Sequence, residues 1–237
     1  MLSLDKQNHY RERYRAIHAG WRTSGEVYES FVRRRIRADA VTLDLGCGAG
    51  GVMELFSDQV AHSTGIDPHL PSLQHHRAKN MLRVNGDAGA LPFAPGVFDL
   101  VVCSWVLEHV VAPARMFEEV RRVLKAGGHF VFLTPNAANY ITRINRLVPR
   151  LAQARLVRAL YGRSEDDTFQ VAYRANTLAA LTALAQGAGF EVCELTTVHD
   201  PTYLAFNDLA FRLSAAIEQR ISDAHAVHII GDLRHNT

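Results

Sequence analysis

A glycine-rich turn after a short apolar run most constrains how this chain can fold. Residues 41–45 have the composition of a buried strand, and they lead directly into Gly46, Cys47, Gly48, Ala49, Gly50 and Gly51. Glycines at such a place let the backbone approach a ligand closely, and a helix that starts there presents free N–H groups to an anion. The segment therefore predicts a strand, a ligand-binding turn and a helical stretch at 52–56.

Strand and helix patterns alternate through much of the chain. Predicted strands lie at 41–45, 63–67, 82–84, 98–103, 129–133, 191–198 and 226–230, and predicted helices at 70–79, 114–124, 177–187 and 204–221. Alternation of this kind indicates βαβ crossovers and a parallel sheet with helices on both faces. The predicted fold is therefore α/β and Rossmann-like.

Three acidic residues lie at the ends of successive predicted strands or just after them, and they narrow the choice of ligand. The glycines alone also satisfy the dinucleotide pattern G-x-G-x-x-G, and Asp67 suits a ribose in either class of protein. Asp44, just before the first glycine, would repel a pyrophosphate but suits the ammonium and sulfonium groups of S-adenosylmethionine. Asp87 is placed to accept a hydrogen bond from an adenine amino group. The acids favour S-adenosylmethionine over NAD.

Five segments in order, 41–51, 65–68, 86–88, 98–110 and 124–128, resemble successive motifs of the class I S-adenosylmethionine-dependent methyltransferases. The branch most resembled includes ubiquinone and menaquinone biosynthesis enzymes and many small-molecule methyltransferases. The resemblance implies a seven-stranded, mostly parallel sheet whose last strand, at 226–230, is antiparallel and pairs near 191–198. It also implies methyl transfer from S-adenosylmethionine to a small molecule, leaving S-adenosylhomocysteine.

The resemblance assigns cofactor-binding roles residue by residue. Asp44 would lie near the amino group of the methionine moiety, Asp67 would bind the ribose diol, and Asp87 and the Ala88 amide would bind adenine. The complete predicted set is Asp44, Gly46, Cys47, Gly48, Gly50, Asp67, Pro68, Asp87, Ala88, Ser104 and Trp105.

Residues for the methyl acceptor are predicted from their positions after strands or in the segment that follows the fifth strand. His109 is the predicted general base for a hydroxyl acceptor, and packing beside the cofactor or capping a helix is its alternative role. The predicted acceptor-binding residues are Asn136, Tyr140, Arg143, Tyr173 and Tyr203. An NAD(P)-dependent oxidoreductase and a non-catalytic S-adenosylmethionine-binding protein remain the alternative functions.

We predict one domain over 1–237, with an N-terminal helical segment at 1–37 and a cofactor-binding core at 38–136. A helical cap at 137–176, rich in arginine, would follow the fifth strand, and 177–237 would complete the core. The last helix would pack against the sheet through Phe206, Leu209, Leu213 and Ile217, which share one face.

Composition limits the remaining possibilities. Twenty-six basic and 24 acidic residues leave a net charge of +2, which gives no argument for nucleic acid. The three cysteines have neither disulfide nor metal-ligand spacing, and no apolar run is long enough to span a bilayer. We therefore expect a cytoplasmic monomer or homodimer without a metal, a nucleic-acid partner or a membrane span.

Overall fold

The computed structural model describes residues 4–147 and 171–236. Its strands are β1 (Val41–Leu45), β2 (His62–Asp67), β3 (Leu82–Asn85), β4 (Phe98–Ser104), β5 (Leu124–Pro135), β6 (Phe190–Val198) and β7 (His228–His235). Its helices are α1 (Leu4–Ile17), α2 (Ser24–Arg33), α3 (Leu70–Gln74), α4 (Pro113–Val123), α5 (Tyr140–Leu147), α6 (Leu178–Gly187) and α7 (Asp208–Glu218). In the described part of the chain, all seven strands belong to one sheet.

The sheet has the strand order β3-β2-β1-β4-β5-β7-β6. The first five strands are parallel, whereas β7 lies between β5 and β6 and is antiparallel to both. This confirms the predicted fold class. The order reverses between β1 and β4, so the loops after these two strands border the crevice where open α/β sheets bind ligands.

Each face of the sheet is covered by its own apolar cluster. On one face, Met116 and Phe117 of α4 and Leu181 of α6 pack on the sheet. On the other, Val27 and Phe31 of α2 pack with residues of the turns that follow β1. Because both faces are buried, the central strands read as continuous apolar runs rather than alternating ones.

Two predicted helices are shorter than their patterns indicated. The predicted stretch at 52–56 is a single 3₁₀ turn, Val52–Glu54, and the predicted helix at 70–79 is only the five-residue α3. After α3, the amide of Arg77 donates to the carbonyl of Ala49, 3.0 Å away, which draws the chain back to the glycine turn. A long-range backbone contact thus takes the place of continued helical hydrogen bonds.

The packing predicted for the last helix is wrong. Phe206, Leu209, Leu213 and Ile217 are exposed, whereas α7 buries its opposite side, including Phe211 and Ala215. That side packs on α1 through Tyr10 and Tyr14 rather than on the sheet. The sequence pattern was misleading because the buried side also carries Ser214 and Glu218, whose polarity suggests exposure.

Most of the predicted cap lies outside the described residues, at 148–170. Its described part contributes α5, and the predicted domain divisions remain predictions. In residues 4–147 and 171–236, no helix combines the length and the apolar character needed to cross a membrane.

Candidate functional site

The turn after β1 needs glycine for two physical reasons. Gly46, Gly48 and Gly50 have φ values of 73°, 51° and 141°, in the region that disfavours side chains. A Cβ on Gly46 would also overlap the side chain of Val106. The amides of Gly46 and Cys47 donate to the carbonyl of Ile66 at 2.8 and 3.3 Å, which holds the turn against the end of β2.

Asp44 is buried at the end of β1, and one oxygen of its carboxyl group lacks a hydrogen-bond partner among the described residues. Its side chain is almost inaccessible, and Oδ2 has no hydrogen-bond partner among the described residues. Burial raises the pKa of Asp44 to about 7, and the nearby carboxylates of Asp67 and Glu54 add to the effect. An unpartnered buried carboxylate is costly, and a cation beside it would lower that cost.

Asp67 at the end of β2 connects two loops of the site. Its Oδ2 accepts from the amide of Gly48 at 2.9 Å, and its Oδ1 accepts from the amide of His69 at 2.7 Å. Each carboxylate oxygen has further acceptor capacity. Asp67 therefore fixes the glycine turn and still offers oxygen atoms to a ligand.

A cavity of about 490 Å³ opens beside the glycine turn, although neither Asp44 nor Asp67 is among the described residues that line it. It includes Gly46, Pro68, Asp87 and Ala88, four of the predicted cofactor-binding residues, together with His109. Asp87 accepts from the amide of Gly89 at 2.7 Å, which folds the loop after β3 around the cavity. The structure thus brings together residues that are up to 63 positions apart, from Gly46 to His109.

The other wall of the cavity comes from the segment between β4 and α4. Val106, Val110, Val111 and Ala112 supply an apolar surface, and Arg115 adds a cation from the first turn of α4. The sequence predicts Arg115 only as part of the helix at 114–124, with no role in a binding site. A signal for it was available, because the first turn of a helix after a parallel strand lies at the ligand-binding edge.

His109 lies beside a buried carboxyl group. Glu108 Oε1 is 4.0 Å from His109 Nε2, and burial raises the pKa of Glu108 to about 7. Thr134 donates to Glu108 Oε2 at 3.4 Å, and Asn176 in turn donates to Thr134. The segment carrying His109 is therefore anchored to β5 and to the chain before α6.

Ser104 ends β4 and Trp105 follows it, but neither is among the described residues that line the cavity. Trp105 has a φ of 60°, its amide donates to the carbonyl of Leu133 at 3.1 Å, and the residue is 43% exposed. The ring meets that of His228 edge to face at 5.0 Å. His228 is buried, which lowers its pKa to about 4, and the sequence offered no signal for it.

The five predicted acceptor-binding residues occupy different surroundings. The Asn136 amide is buried and donates to the carbonyls of Ala224 and Ala226, so it ties β5 to the segment before β7. The Tyr203 hydroxyl lies 2.9 Å from Nε2 of His228, so Tyr203 and Trp105 both contact the His228 ring.

Three of the five lie on or near the predicted cap. Burial raises the pKa of Tyr140 to about 12, Arg143 is exposed on α5, and the amide of Tyr173 donates to the carbonyl of Glu108 at 3.0 Å. None of the five is among the described residues that line the cavity. Their acceptor-binding roles stay predictions.

Comparison with known proteins gives the domain its family. The family described as a methyltransferase domain matches residues 43–132, from β1 into β5. A ubiquinone biosynthesis O-methyltransferase of Paraburkholderia xenovorans is 37% identical over 101 residues, which are 40% of this chain and 44% of that protein. Residues 43–132 therefore form a methyltransferase domain.

Two further proteins are similar to this chain, one in sequence and one in fold. An uncharacterized methyltransferase of Mycolicibacterium gilvum is 38% identical over 92 residues, covering 36% of this chain and 35% of that one. An S-adenosylmethionine-dependent methyltransferase structure from Mesorhizobium loti covers 90% of this chain and 98% of its own, with a TM-score of 0.64 and 18% identity. At that identity the likeness concerns the fold. The chain spans 35% to 66% of the lengths of curated relatives that it matches.

The Mesorhizobium loti protein is described as dependent on S-adenosylmethionine, and the residues of this site fit that molecule. The unpartnered oxygen of Asp44 suits a cationic group, and the cavity beside the glycine turn has an apolar wall. The family match includes Asp44, Asp67, Asp87 and His109 but ends before Asn136. The residues predicted to bind the acceptor therefore lie in the part of the chain that the family match leaves out.

Proposed function

We propose that this chain is an S-adenosylmethionine-dependent methyltransferase that transfers a methyl group to a small-molecule hydroxyl. The observation that carries the proposal is the buried carboxylate of Asp44, unpartnered at Oδ2, next to a glycine turn. A nucleotide pyrophosphate would place negative charge against it, whereas a methionine moiety carries an ammonium and a sulfonium. The relatives named ubiquinone biosynthesis O-methyltransferases support a hydroxyl acceptor.

In this proposal the cofactor lies across the carboxyl ends of the first four strands. Asp44 faces its amino group, Asp67 binds the ribose diol, and Asp87 and the Ala88 amide bind adenine. The turn residues Gly46, Cys47, Gly48 and Gly50 approach the methionine chain, with Pro68 beside the ribose and Ser104 and Trp105 near the methyl group. The shared cavity lined by Gly46, Pro68, Asp87 and Ala88 supports the adenosine end of this arrangement.

The chemistry asks mainly for alignment of the two reactants. Methyl transfer is an in-line displacement at a carbon whose leaving group is already activated, and orientation can contribute on the order of 7–11 kcal/mol. His109, on the cavity wall, takes the hydroxyl proton as the oxygen attacks. Oε1 of Glu108 lies 4.0 Å from Nε2 of His109, close enough for a carboxylate to stabilise the charge that the imidazole gains.

The acceptor in this proposal lies between β4 and the chain that follows β5 and β6. Trp105 and Tyr203 both contact His228 there, which supports a common acceptor surface. Asn136, Tyr140, Arg143 and Tyr173 are the further proposed acceptor residues. An aromatic, partly exposed surface of this kind suits a phenol or another flat acceptor.

Calorimetric titration of the full chain tests the cofactor assignment. We expect S-adenosylmethionine and S-adenosylhomocysteine to bind at one molecule per chain and NAD to give no heat of binding. Binding of NAD with no binding of either sulfur compound would contradict the proposal. Binding of the sulfur compounds without methyl transfer to any of a panel of phenols, sugars and amines would favour a non-catalytic binding protein.

Replacement of His109 tests the role of the base. His109→Gln should lower kcat by about 10²–10⁴, because a general base contributes about that factor, and should leave the Kd for S-adenosylmethionine nearly unchanged. His75→Gln is the matched control, since His75 is exposed at the end of α3. An unchanged kcat in His109→Gln would rule out the proposed base.

A further inference from the structure

A cluster of three metal-ligating side chains lies on the α2-covered face of the sheet, away from the methyltransferase site. His129 begins the central part of β5, Asp232 lies on β7, and Cys193 lies on β6. One ligand atom from each of the three lies within 4.8 Å of both others. Their residues are 39 to 103 positions apart along the chain, so sequence spacing could not indicate the cluster.

The strand register explains why these side chains meet. His129 pairs with Arg234 and Val131 with Asp232, so His129 and Asp232 are diagonal neighbours on one face of the sheet. On β6, Val192 pairs with Leu233 and Glu194 pairs with Asp232, which leaves Cys193 as the extra residue of a bulge. Bulges re-aim side chains, and this one turns the thiol toward Asp232.

The two oxygens of Asp232 have separate partners. Arg35, just after α2, donates to Oδ2 from Nε and Nη2 at 3.0 and 2.6 Å, and His129 Nδ1 lies 2.7 Å from Oδ1. Ligating carboxylates are commonly held in this way, with a hydrogen-bond donor on the oxygen that does not bind the metal. Ion pairing alone would account for the contacts among Arg35, Asp232 and His129. It would not account for the position of the Cys193 thiol beside them.

We propose that His129, Cys193 and Asp232 form a divalent-metal site, and that Zn²⁺ is the ion that fits it best. One imidazole nitrogen, one thiolate and one carboxylate are the ligand types that Zn²⁺ accepts, and harder ions such as Mg²⁺ avoid sulfur. On binding, bonds of about 2.0–2.3 Å to the ion would replace the present 2.7 Å contact between His129 Nδ1 and Asp232 Oδ1. Cys193 is exposed, so a water molecule can take the fourth position.

Charge supports the same conclusion. The thiolate and the Asp232 carboxylate balance the two charges of the ion, while Arg35 stays paired with Asp232 and Arg34 pairs with Glu194 at 2.9 Å. The bound metal would connect β5, β6 and β7 and would stabilise the antiparallel edge of the sheet. The proposal is independent of methyl transfer.

Titration of the metal-free full chain with Co²⁺, without a histidine tag, tests the site. We expect one Co²⁺ per chain, a thiolate-to-cobalt charge-transfer band in the near ultraviolet, and loss of that band when Zn²⁺ is added. Cys193→Ser should abolish the band, and His129→Ala should weaken binding about tenfold or more. Zn²⁺ should raise the Tm of the unsubstituted chain by more than it raises that of either variant.

Matched controls separate this site from other thiols and imidazoles. Cys47→Ser and His62→Ala should retain both the band and the stoichiometry, since Cys47 is at the glycine turn and His62 begins β2. Circular dichroism checks that each variant folds, and Cys193, being exposed, tolerates serine. Absence of stoichiometric binding overturns the proposal, as does a band that persists in Cys193→Ser.

Discussion

Asp44 shows how a single residue can be unfavourable for folding and favourable for binding. Its carboxylate is removed from water, and Asp67 and Glu54 add negative charge nearby, so the folded chain holds a proton on Asp44 up to a pH of about 7. The unfolded chain releases that proton near its ordinary pKa of about 3.9. The chain therefore loses stability as the pH rises from about 4 to about 7, and the loss stays constant above pH 7 unless a cation compensates.

Asp44→Asn is expected to raise the free energy of unfolding above pH 7 in the absence of cofactor. The gain should be about 1–3 kcal/mol, because the amide keeps the shape and removes the buried charge. It should shrink below pH 4, where the aspartate is protonated in both states. Urea denaturation at pH 4 and pH 8 measures it, and an equal effect at both pH values would contradict this account.

The same substitution should weaken cofactor binding. S-adenosylmethionine should bind Asp44→Asn about tenfold or more weakly at pH 8, because its cationic groups lose an ionised partner. In the unsubstituted chain the Kd should rise as the pH falls from 8 to 6 and Asp44 takes up a proton. Calorimetry at several pH values decides this, since the variant should lose that part of the pH dependence.

Asp67→Ala is expected to weaken S-adenosylmethionine binding by tenfold or more. The substitution removes the proposed ribose acceptor and also the acceptor for the amides of Gly48 and His69. A hydrogen bond to a charged group is typically worth about 1.5–3 kcal/mol. Asp58→Ala, at an exposed position between β1 and β2, is the control for calorimetry. An unchanged Kd in Asp67→Ala would refute the assignment.

At the scale of elements, local signals and long-range contacts set the length of each helix. The start of α2 is a local matter: Thr23 accepts from the amide of Glu26 at 3.2 Å, and the Glu26 carboxylate accepts from the amide of Thr23 at 2.8 Å. The end of α3 is set from a distance, through the bond from Arg77 to Ala49. The sequence alone reveals the capping residues of α2, because they are neighbours in the chain. It does not reveal the distant contact that ends α3.

Thr23→Ala should lower the free energy of unfolding by about 1 kcal/mol, because it removes the side-chain cap of α2. The loss should be global, since α2 packs Val27 and Phe31 on the sheet. Thr23→Ser keeps the capping oxygen and is the control in urea denaturation. Equal stability of the alanine and serine variants would show that the cap contributes little.

At the scale of the whole molecule, β7 completes the sheet, because it lies between β5 and β6 and pairs with both. Gly231 lies in the middle of β7, opposite Phe132 on β5 and Leu195 on β6. A Cβ there would overlap the Phe132 ring and lie 2.9 Å from Leu195 Cδ2. The core of the sheet therefore depends on the absence of a side chain at this position.

Gly231→Ala is expected to destabilise the chain by about 1–3 kcal/mol through overpacking. Gly187→Ala is the matched control, because a Cβ at this α6 position meets nothing within 4 Å. That substitution should stabilise the chain by about 0.5–1 kcal/mol, as alanine favours a helix. Thermal unfolding of both variants gives the comparison, and equal shifts in Tm would contradict the packing argument.

The sequence by itself determined the α/β fold and the strand positions that carry the glycine turn, because these depend on neighbouring residues and on short periodic patterns. It also indicated Asp44, Asp67 and Asp87, since the carboxyl ends of parallel strands meet at one edge. The family match and the sheet order confirm the fold and the type of domain.

Only the tertiary structure decided which side of α7 is buried, how short α3 is, and which side chains meet across β5, β6 and β7. Leu209 and Leu213 looked like core residues, yet α1 offers its aromatic surface to the opposite side of α7. Likewise His129, Cys193 and Asp232 come together through strand register and a bulge. Such contacts depend on residues far apart in the chain, so no local pattern specifies them.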